Sequence, residues 1–93
     1  MSIGIALGES IKTIRMARKL TQEDFSDVSS RTYLSTLERG LKSPTINKLG
    51  RIAETMGVHP LTIMLLAYAN SEHIQVEDLT ATVMNELRSI LPR

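Results

Sequence analysis

Cysteine and tryptophan are both absent from this 93-residue chain. Without thiols there is no disulfide framework, no thiolate metal site and no cysteine nucleophile. Aromatic side chains are scarce: Phe25, Tyr33 and Tyr68 are the whole set. With 42% apolar residues a core is available, and it has to be aliphatic. The two histidines, His59 and His73, make no metal-ligand spacing with each other, so neither a metal nor a cofactor is expected. Ser35 and Glu38 share a helix face but have no neighbouring base to create a nucleophile, so catalysis is not expected either. No apolar run approaches the roughly 18 residues of a membrane span. The N-terminal stretch MSIGIALGES has no basic segment before its apolar residues and soon reaches Glu9. A signal peptide is therefore not expected, and the cytoplasm is the expected compartment. Strand-like alternation, internal repeats and low-complexity tracts are missing as well.

Helical periodicity fills the chain instead. Leu7, Ile11, Ile14 and Ala17 mark one face of a helix from about Ile5 to Lys19, with Arg18 and Lys19 in its last turn. Thr21 opens a second helix, with Asp24 three residues on as its capping partner and Phe25 and Val28 inward. Ser29 or Ser30 caps a third helix that runs to Arg39, and Gly40 stops it. Leu41–Pro44 is a loop. Thr45 caps a fourth helix, with Ile46, Leu49, Ile52, Ala53 and Met56 inward and Gly57 as terminator. His59 reads as a cap, and Pro60 suits the first position of a fifth helix. That helix, Leu61–Ala69, is apolar nearly all round, as a helix buried in a core or against a partner would be. Asn70–Gln75 is polar and breaks it. A sixth helix covers about Val76 to Leu91, with the stripe Val76, Leu79, Val83, Leu87 and Ile90. The expected class is all-α.

Net charge is only +1, but it is unevenly spread. Residues 1–50 hold eight Lys/Arg against five Asp/Glu, and residues 51–93 hold three against five. The basic half contains the third helix. That helix places Arg31, Thr32, Ser35 and Thr36 on one face and Leu34 and Leu37 on another. One apolar stripe for a core and one stripe of small polar and guanidinium groups suit a DNA major groove. Arg31 has the fork that matches guanine O6 and N7. Thr32, Ser35 and Thr36 are small enough to let the helix enter deeply and can hydrogen-bond base edges. Arg39, Lys42 and Ser43 flank the end of the helix as a clamp on the phosphate backbone. Ser30 joins them at its start. Tyr33 either hydrogen-bonds a phosphate or covers the edge of the core.

The segments LGESIKTIR at 7–15, LTQEDF at 20–25, YLSTLERG at 33–40, SPT at 43–45 and IAETMGV at 52–58 resemble the Cro/phage-repressor (XRE-type) helix-turn-helix family. The similarity covers roughly residues 7–66. The resemblance implies a compact lambda-repressor-like five-helix DNA-binding domain, in a bacterial or phage-encoded protein acting as a homodimer on pseudo-palindromic operators. It implies a phosphate contact for Gln22, and an ion pair between Arg15, late in the first helix, and Glu38, late in the third. One departure is visible. Between Thr21-Gln22 and Leu37–Gly40 the chain is two residues shorter than the common pattern, and Val28-Ser29-Ser30 stands where a turn glycine is usual. A turn of different geometry is expected there.

These readings divide the chain into a DNA-binding domain, residues 1–70, and a C-terminal helical extension, residues 71–93. Helix five has more apolar residues than one face can use. Leu61, Met64 and Leu65, with Val83, Leu87 and Ile90 of helix six, are the expected dimerisation surface. The expected function is a stand-alone transcriptional regulator, repressor or activator, that inserts its third helix into the major groove. The rival is a protein-interaction module of the same fold, such as an antitoxin-like partner-binding protein. Such a module would carry bulky apolar groups on the third helix, where this chain has Arg, Thr, Ser and Thr.

Overall fold

The computed structural model describes residues 1–92; Arg93, the last residue of the expected extension, lies outside them. Among the described residues there are five α-helices, one 3-10 turn and no strand. The helices are α1 (Ile3–Ala17), α2 (Arg31–Glu38), α3 (Ile46–Met56), α4 (Pro60–Glu72) and α5 (Val76–Ile90). The 3-10 turn, Gln22–Phe25, precedes α2. None of the described helices is long and apolar enough to cross a membrane.

The all-α architecture is as the periodicity implies, and the core is aliphatic around one phenylalanine. Leu7, Ile11 and Ile14 of α1, Leu34 and Leu37 of α2, Leu49, Ile52 and Met56 of α3, and Ile63 and Ala67 of α4 enclose Phe25. Burying each large side chain stabilises the fold by about 1.5–3 kcal/mol. Side chains cap three of the helices as expected from their types. The Ser30 hydroxyl accepts from the Tyr33 N–H at 3.0 Å, Thr45 from Lys48 at 3.1 Å, and the His59 Nδ1 from Leu61 at 3.0 Å.

Several expectations need correction. The second helix, expected over Thr21–Val28, is a single 3-10 turn. The Asp24 carboxylate accepts from the Thr21 N–H at 2.7 Å, so the capping pair forms, but an α-helix does not propagate. Ser26 bonds back to Glu23, and Val28 and Ser29 both bond back to Phe25, which closes the segment turn by turn. Phe25 is buried, whereas Val28 is only partly so. Helix α1 begins earlier and ends earlier than its pattern suggested, leaving Ala17 exposed and Arg18 and Lys19 beyond the last turn. Lys19 takes a left-handed conformation, φ 58°, so that Leu20 N–H reaches the Arg15 carbonyl at 3.0 Å. That is a Schellman ending without glycine. Gly40 ends α2 in the same way, with Leu41 N–H bonded to the Thr36 carbonyl at 3.1 Å. Ile46, expected inward, is 89% exposed at the first position of α3, outside the reach of the core. Helix α4 runs through Asn70–Glu72, residues read as its break, and stops at His73 in a left-handed conformation. The Ser71 hydroxyl donates to the Met1 carbonyl at 2.8 Å, which ties that extra turn to the chain start.

Two features of α1 fix the position of α2. At Gly8 the two helices come so close that an added Cβ would lie 2.3 Å from the Leu37 carbonyl oxygen and 2.8 Å from that of Glu38. Seven residues on, two turns along the same face, Arg15 meets the Glu38 carboxylate. Its Nε lies 2.7 Å from Oε2 and its Nη2 lies 3.0 Å from Oε1, a bidentate fork. Nη1 also donates to the Leu20 carbonyl at 2.9 Å. The pair is well buried, with side-chain exposures of 12% and 5%. The hydrogen bonds it donates to Glu38 raise the Arg15 pKa above its ordinary value, against the opposing effect of burial.

Replacing Gly8 by Ala should destabilise the fold by about 1–3 kcal/mol, because backbone and not a flexible side chain must move. Gly50, in the middle of α3, has nothing within 4 Å of an added Cβ. Gly50→Ala should stabilise by about 0.4–1 kcal/mol. Urea unfolding of the two variants checks the contrast; equal midpoints would contradict the close approach at Gly8. Glu38→Ala should cost about 3 kcal/mol, since it strands a largely buried guanidinium. A thermal midpoint equal to the parent's would show that the fork contributes nothing.

Candidate nucleic-acid interface

Helix α2 is short, and each turn of it has a defined task. Leu34 and Leu37 face the core. Arg31, Thr32 and Ser35 face outward and, with Gln22 and Arg39, line a shallow polar concavity of about 380 Å³. The spacing explains the grouping: positions 31, 35 and 39 repeat every four residues, with 32 beside 31. Four of the residues singled out from sequence for base or phosphate contact on α2 and just beyond it therefore stand together. Gln22 joins them from the 3-10 turn.

Arg31 is exposed, and its Nη1 lies 3.3 Å from the Glu23 Oε1; the two side chains are 71% and 75% exposed. An exposed pair of this kind contributes about 0–1 kcal/mol, so the guanidinium is readily released to another anion or to a guanine edge. The Thr36 hydroxyl donates to the Thr32 carbonyl at 2.8 Å, and the residue is only partly exposed. Arg39 Nε approaches the Ser35 carbonyl at 3.4 Å, leaving its terminal amino groups without a protein partner among the described residues.

Gln22 is held by the same carboxylate that anchors α2. Its Nε2 donates to Glu38 Oε1 at 3.2 Å. Arg15, Glu38 and Gln22 thus form one network running from α1 through α2 to the 3-10 turn. A carboxylate that accepts from three nitrogens of two side chains fixes both.

A second cluster lies beside the first. The Tyr33 ring packs against the edge of the core, one of the two roles left open for it. Lys42 Nζ is 6.0 Å and Lys48 Nζ 5.4 Å from the ring centroid. Lys42 and Ser43 are exposed in the loop before α3, and Ser30 is exposed at the start of α2. The Ser30 hydroxyl accepts from the helix and still has its own O–H to donate. Lys48 did not stand out in the sequence except as one charge among eight. The available signal was its place three residues after the Thr45 cap, where the first turn of α3 faces the preceding loop.

The residues expected to dimerise divide. Leu61, Met64, Leu65 and Val83 line an apolar groove of about 500 Å³ between α4 and α5, together with Tyr68, Leu79 and Met84. Leu87 and Ile90 lie further along α5, exposed and outside the groove.

Comparison with known proteins agrees with this arrangement. The helix-turn-helix family profile matches residues 11–63, more than half of the chain. The immunity repressor protein of Bacillus phage phi105 is 30% identical over 96 residues, spanning 96% of this chain and 67% of its own length. The uncharacterized HTH-type transcriptional regulator y4dJ of Sinorhizobium fredii is 39% identical over 54 residues, 56% of this chain and 70% of its own length. The crystal structure of the clp gene regulator ClgR from Corynebacterium glutamicum superposes with a TM-score of 0.73 over 100% of this chain and 98% of that one. At 20% identity that likeness is one of fold. With the 3-10 turn and α2 in the places of its two motif helices, the chain belongs to the helix-turn-helix family of the XRE type.

Proposed function

We propose that this protein is a DNA-binding transcriptional regulator that inserts α2 into the major groove. The observation that carries the reading is the polar concavity of Gln22, Arg31, Thr32, Ser35 and Arg39, with Lys42 and Ser43 exposed in the loop that follows α2. Arg31, Thr32, Ser35 and Thr36 read base edges. Gln22, Ser30, Arg39, Lys42 and Ser43 hold the phosphates on either side and set the register, while Tyr33 supports them from the edge of the core. The names of the relatives, a repressor and a transcriptional regulator, point the same way. Repression needs nothing beyond occupancy of a promoter, and the cytoplasm is where such DNA is met.

We also propose that it acts as a homodimer on a pseudo-palindromic operator, with residues 1–70 binding DNA and the extension from residue 71 pairing the protomers. Helix α5 has no buried residue: Val83 and Met84 line the groove against α4 and are still partly open, and Leu87 and Ile90 stand exposed beyond it. Leu61 on α4 is 67% exposed. A second copy related by a two-fold axis covers this apolar surface and matches the symmetry of a palindromic site.

A dimer making about 6–10 phosphate contacts should lose roughly 10³–10⁵ in affinity between about 50 and 200 mM salt. Binding titrations on a duplex selected from a random pool check this, and no binding at low salt would sink the functional reading. Arg31→Ala should cost about 1–3 kcal/mol and relax preference at one base pair, whereas Lys42→Ala should weaken all sequences alike and lower the salt slope by about one. If both variants weakened selected and random duplexes equally, Arg31 would not be reading bases. Sedimentation equilibrium should return a dimer for the parent and a monomer for Leu87→Glu. A parent that is monomeric at tens of micromolar would reject the dimer.

A further inference from the structure

The shortened turn between the two motif segments has carbonyl groups that its own backbone does not satisfy. The Val28 and Ser29 N–H groups both bond to the Phe25 carbonyl, each at 2.9 Å. Among the described residues no backbone N–H reaches the carbonyls of Asp27 or Val28. Glycine, which would let the chain turn and close in a left-handed conformation, is absent from residues 26–30. Two cations from α3 occupy that place. Lys48 Nζ donates to the Val28 carbonyl, and Arg51 Nη2 donates to the Asp27 carbonyl at 3.3 Å. Lys48 and Arg51 are three residues apart, one turn of the same helix face, and their acceptors are adjacent in the turn.

Resting on the DNA-binding reading above, we propose that Lys48 is a positioning residue for the recognition helix, assisted by Arg51. The carbonyl end of the turn is its negative pole, and the Lys48 ammonium holds it against α3. Residue Ser30, two positions after the held carbonyl, is the cap from which α2 starts. The direction in which α2 leaves the turn is therefore set by α3 through Lys48 at one end, and by α1 through Arg15 at the other. The 5.4 Å approach of Nζ to the Tyr33 ring adds a second contact between Lys48 and the first turn of α2. A lysine on this face invites a competing assignment as one more phosphate contact. The two roles differ in what they do to DNA binding. A phosphate contact contributes to the salt slope and not to sequence preference, whereas a positioning residue contributes to preference and not to the slope.

The test uses the full chain with Lys48→Met, which keeps an unbranched stem, and Lys48→Arg, which keeps a donor. Two readouts are needed. Amide hydrogen exchange in DNA-free protein should accelerate at Val28 and Ser29 in the Met variant, by about tenfold for the loss of one charge-assisted hydrogen bond. Core amides of α1 and α4 should stay the most strongly protected of the chain, which also shows that the variant folds. On duplexes, the ratio of affinity for a sequence selected by the parent to affinity for random sequence should fall about tenfold, with the salt slope unchanged. Lys48→Arg should restore both. Unchanged exchange at Val28 and Ser29 would overturn the proposal, and so would a salt slope reduced by about one with the affinity ratio intact. A parent that bound no duplex would refute the DNA-binding reading, and the exchange result would still decide whether Lys48 holds the turn.

Discussion

The Glu38 carboxylate is the point on which the geometry of the interface depends. It sits in the last turn of α2, takes two hydrogen bonds from the Arg15 guanidinium, and accepts a third from Gln22. A carboxylate with little exposure needs such partners, because stranded charge in a poorly solvated site costs several kcal/mol. The requirement works in both directions. Arg15 is equally committed, since its third nitrogen donates to the Leu20 carbonyl just past the end of α1. Three segments distant in sequence are thereby fixed relative to one another by one ion pair. The close approach at Gly8 removes the remaining freedom, because α2 can neither slide along α1 nor lift from it without breaking the fork. A helix of only eight residues has too few hydrogen bonds to be stable alone. Its stability and its orientation both come from these contacts and from Leu34 and Leu37 in the core.

The opposite end of the molecule is organised differently. Helix α4 is apolar on every side because it packs against α1 and α3 on one side and α5 on another. Ile63 and Ala67 complete the core with α1 and α3, while Met64 and Leu65 look toward α5. Helix α5 adds no buried side chain of its own. Leu79 and Val83 of its stripe face α4 across an open apolar groove, and Leu87 and Ile90 stand outside it. The helix has good intrinsic features, with Glu77 and Asp78 in the first turn and Arg88 in the last, so its charges suit its dipole. The fold thus separates a polar surface at α2 from an apolar surface at α4 and α5.

Much of this was legible in the sequence because periodicity and caps are local signals. Of the five residues read as the buried face of α3, Leu49, Ile52, Ala53 and Met56 are buried and Ile46 is not, and Thr45 and Gly57 mark its ends as read. The Arg15–Glu38 pair was legible only through the family resemblance, since no local pattern joins positions 23 residues apart. The misreadings came where tertiary context overrides local preference. Thr21–Val28 has caps and apolar positions fit for a helix, but a segment of that length closes more readily through bonds to Phe25. Asn70–Glu72 looked like a breaker because it is polar, yet polar residues on an exposed helix face end nothing. Ile46 has no signal separating it from the inward residues that follow, because its exposure depends on where the loop delivers the first turn. Gly8 was invisible for the same reason: a close approach of two helices is a property of the pair. Arg31, Thr32 and Ser35 could be grouped in advance because they lie on one short helix, where spacing alone decides the face; Thr36, grouped with them, lies outside the concavity, and Arg39, read as part of the phosphate clamp, lines it.

The central claim is that α2 reads bases in the major groove. Methylation interference on a selected duplex tests it most directly, because dimethyl sulfate marks guanine at N7 in the major groove and adenine at N3 in the minor groove. The account predicts that guanine N7 methylation blocks binding in two patches with centres about 10 base pairs apart, one for each α2 of a dimer. Interference confined to adenine N3, or none at any guanine within the protected site, would contradict it.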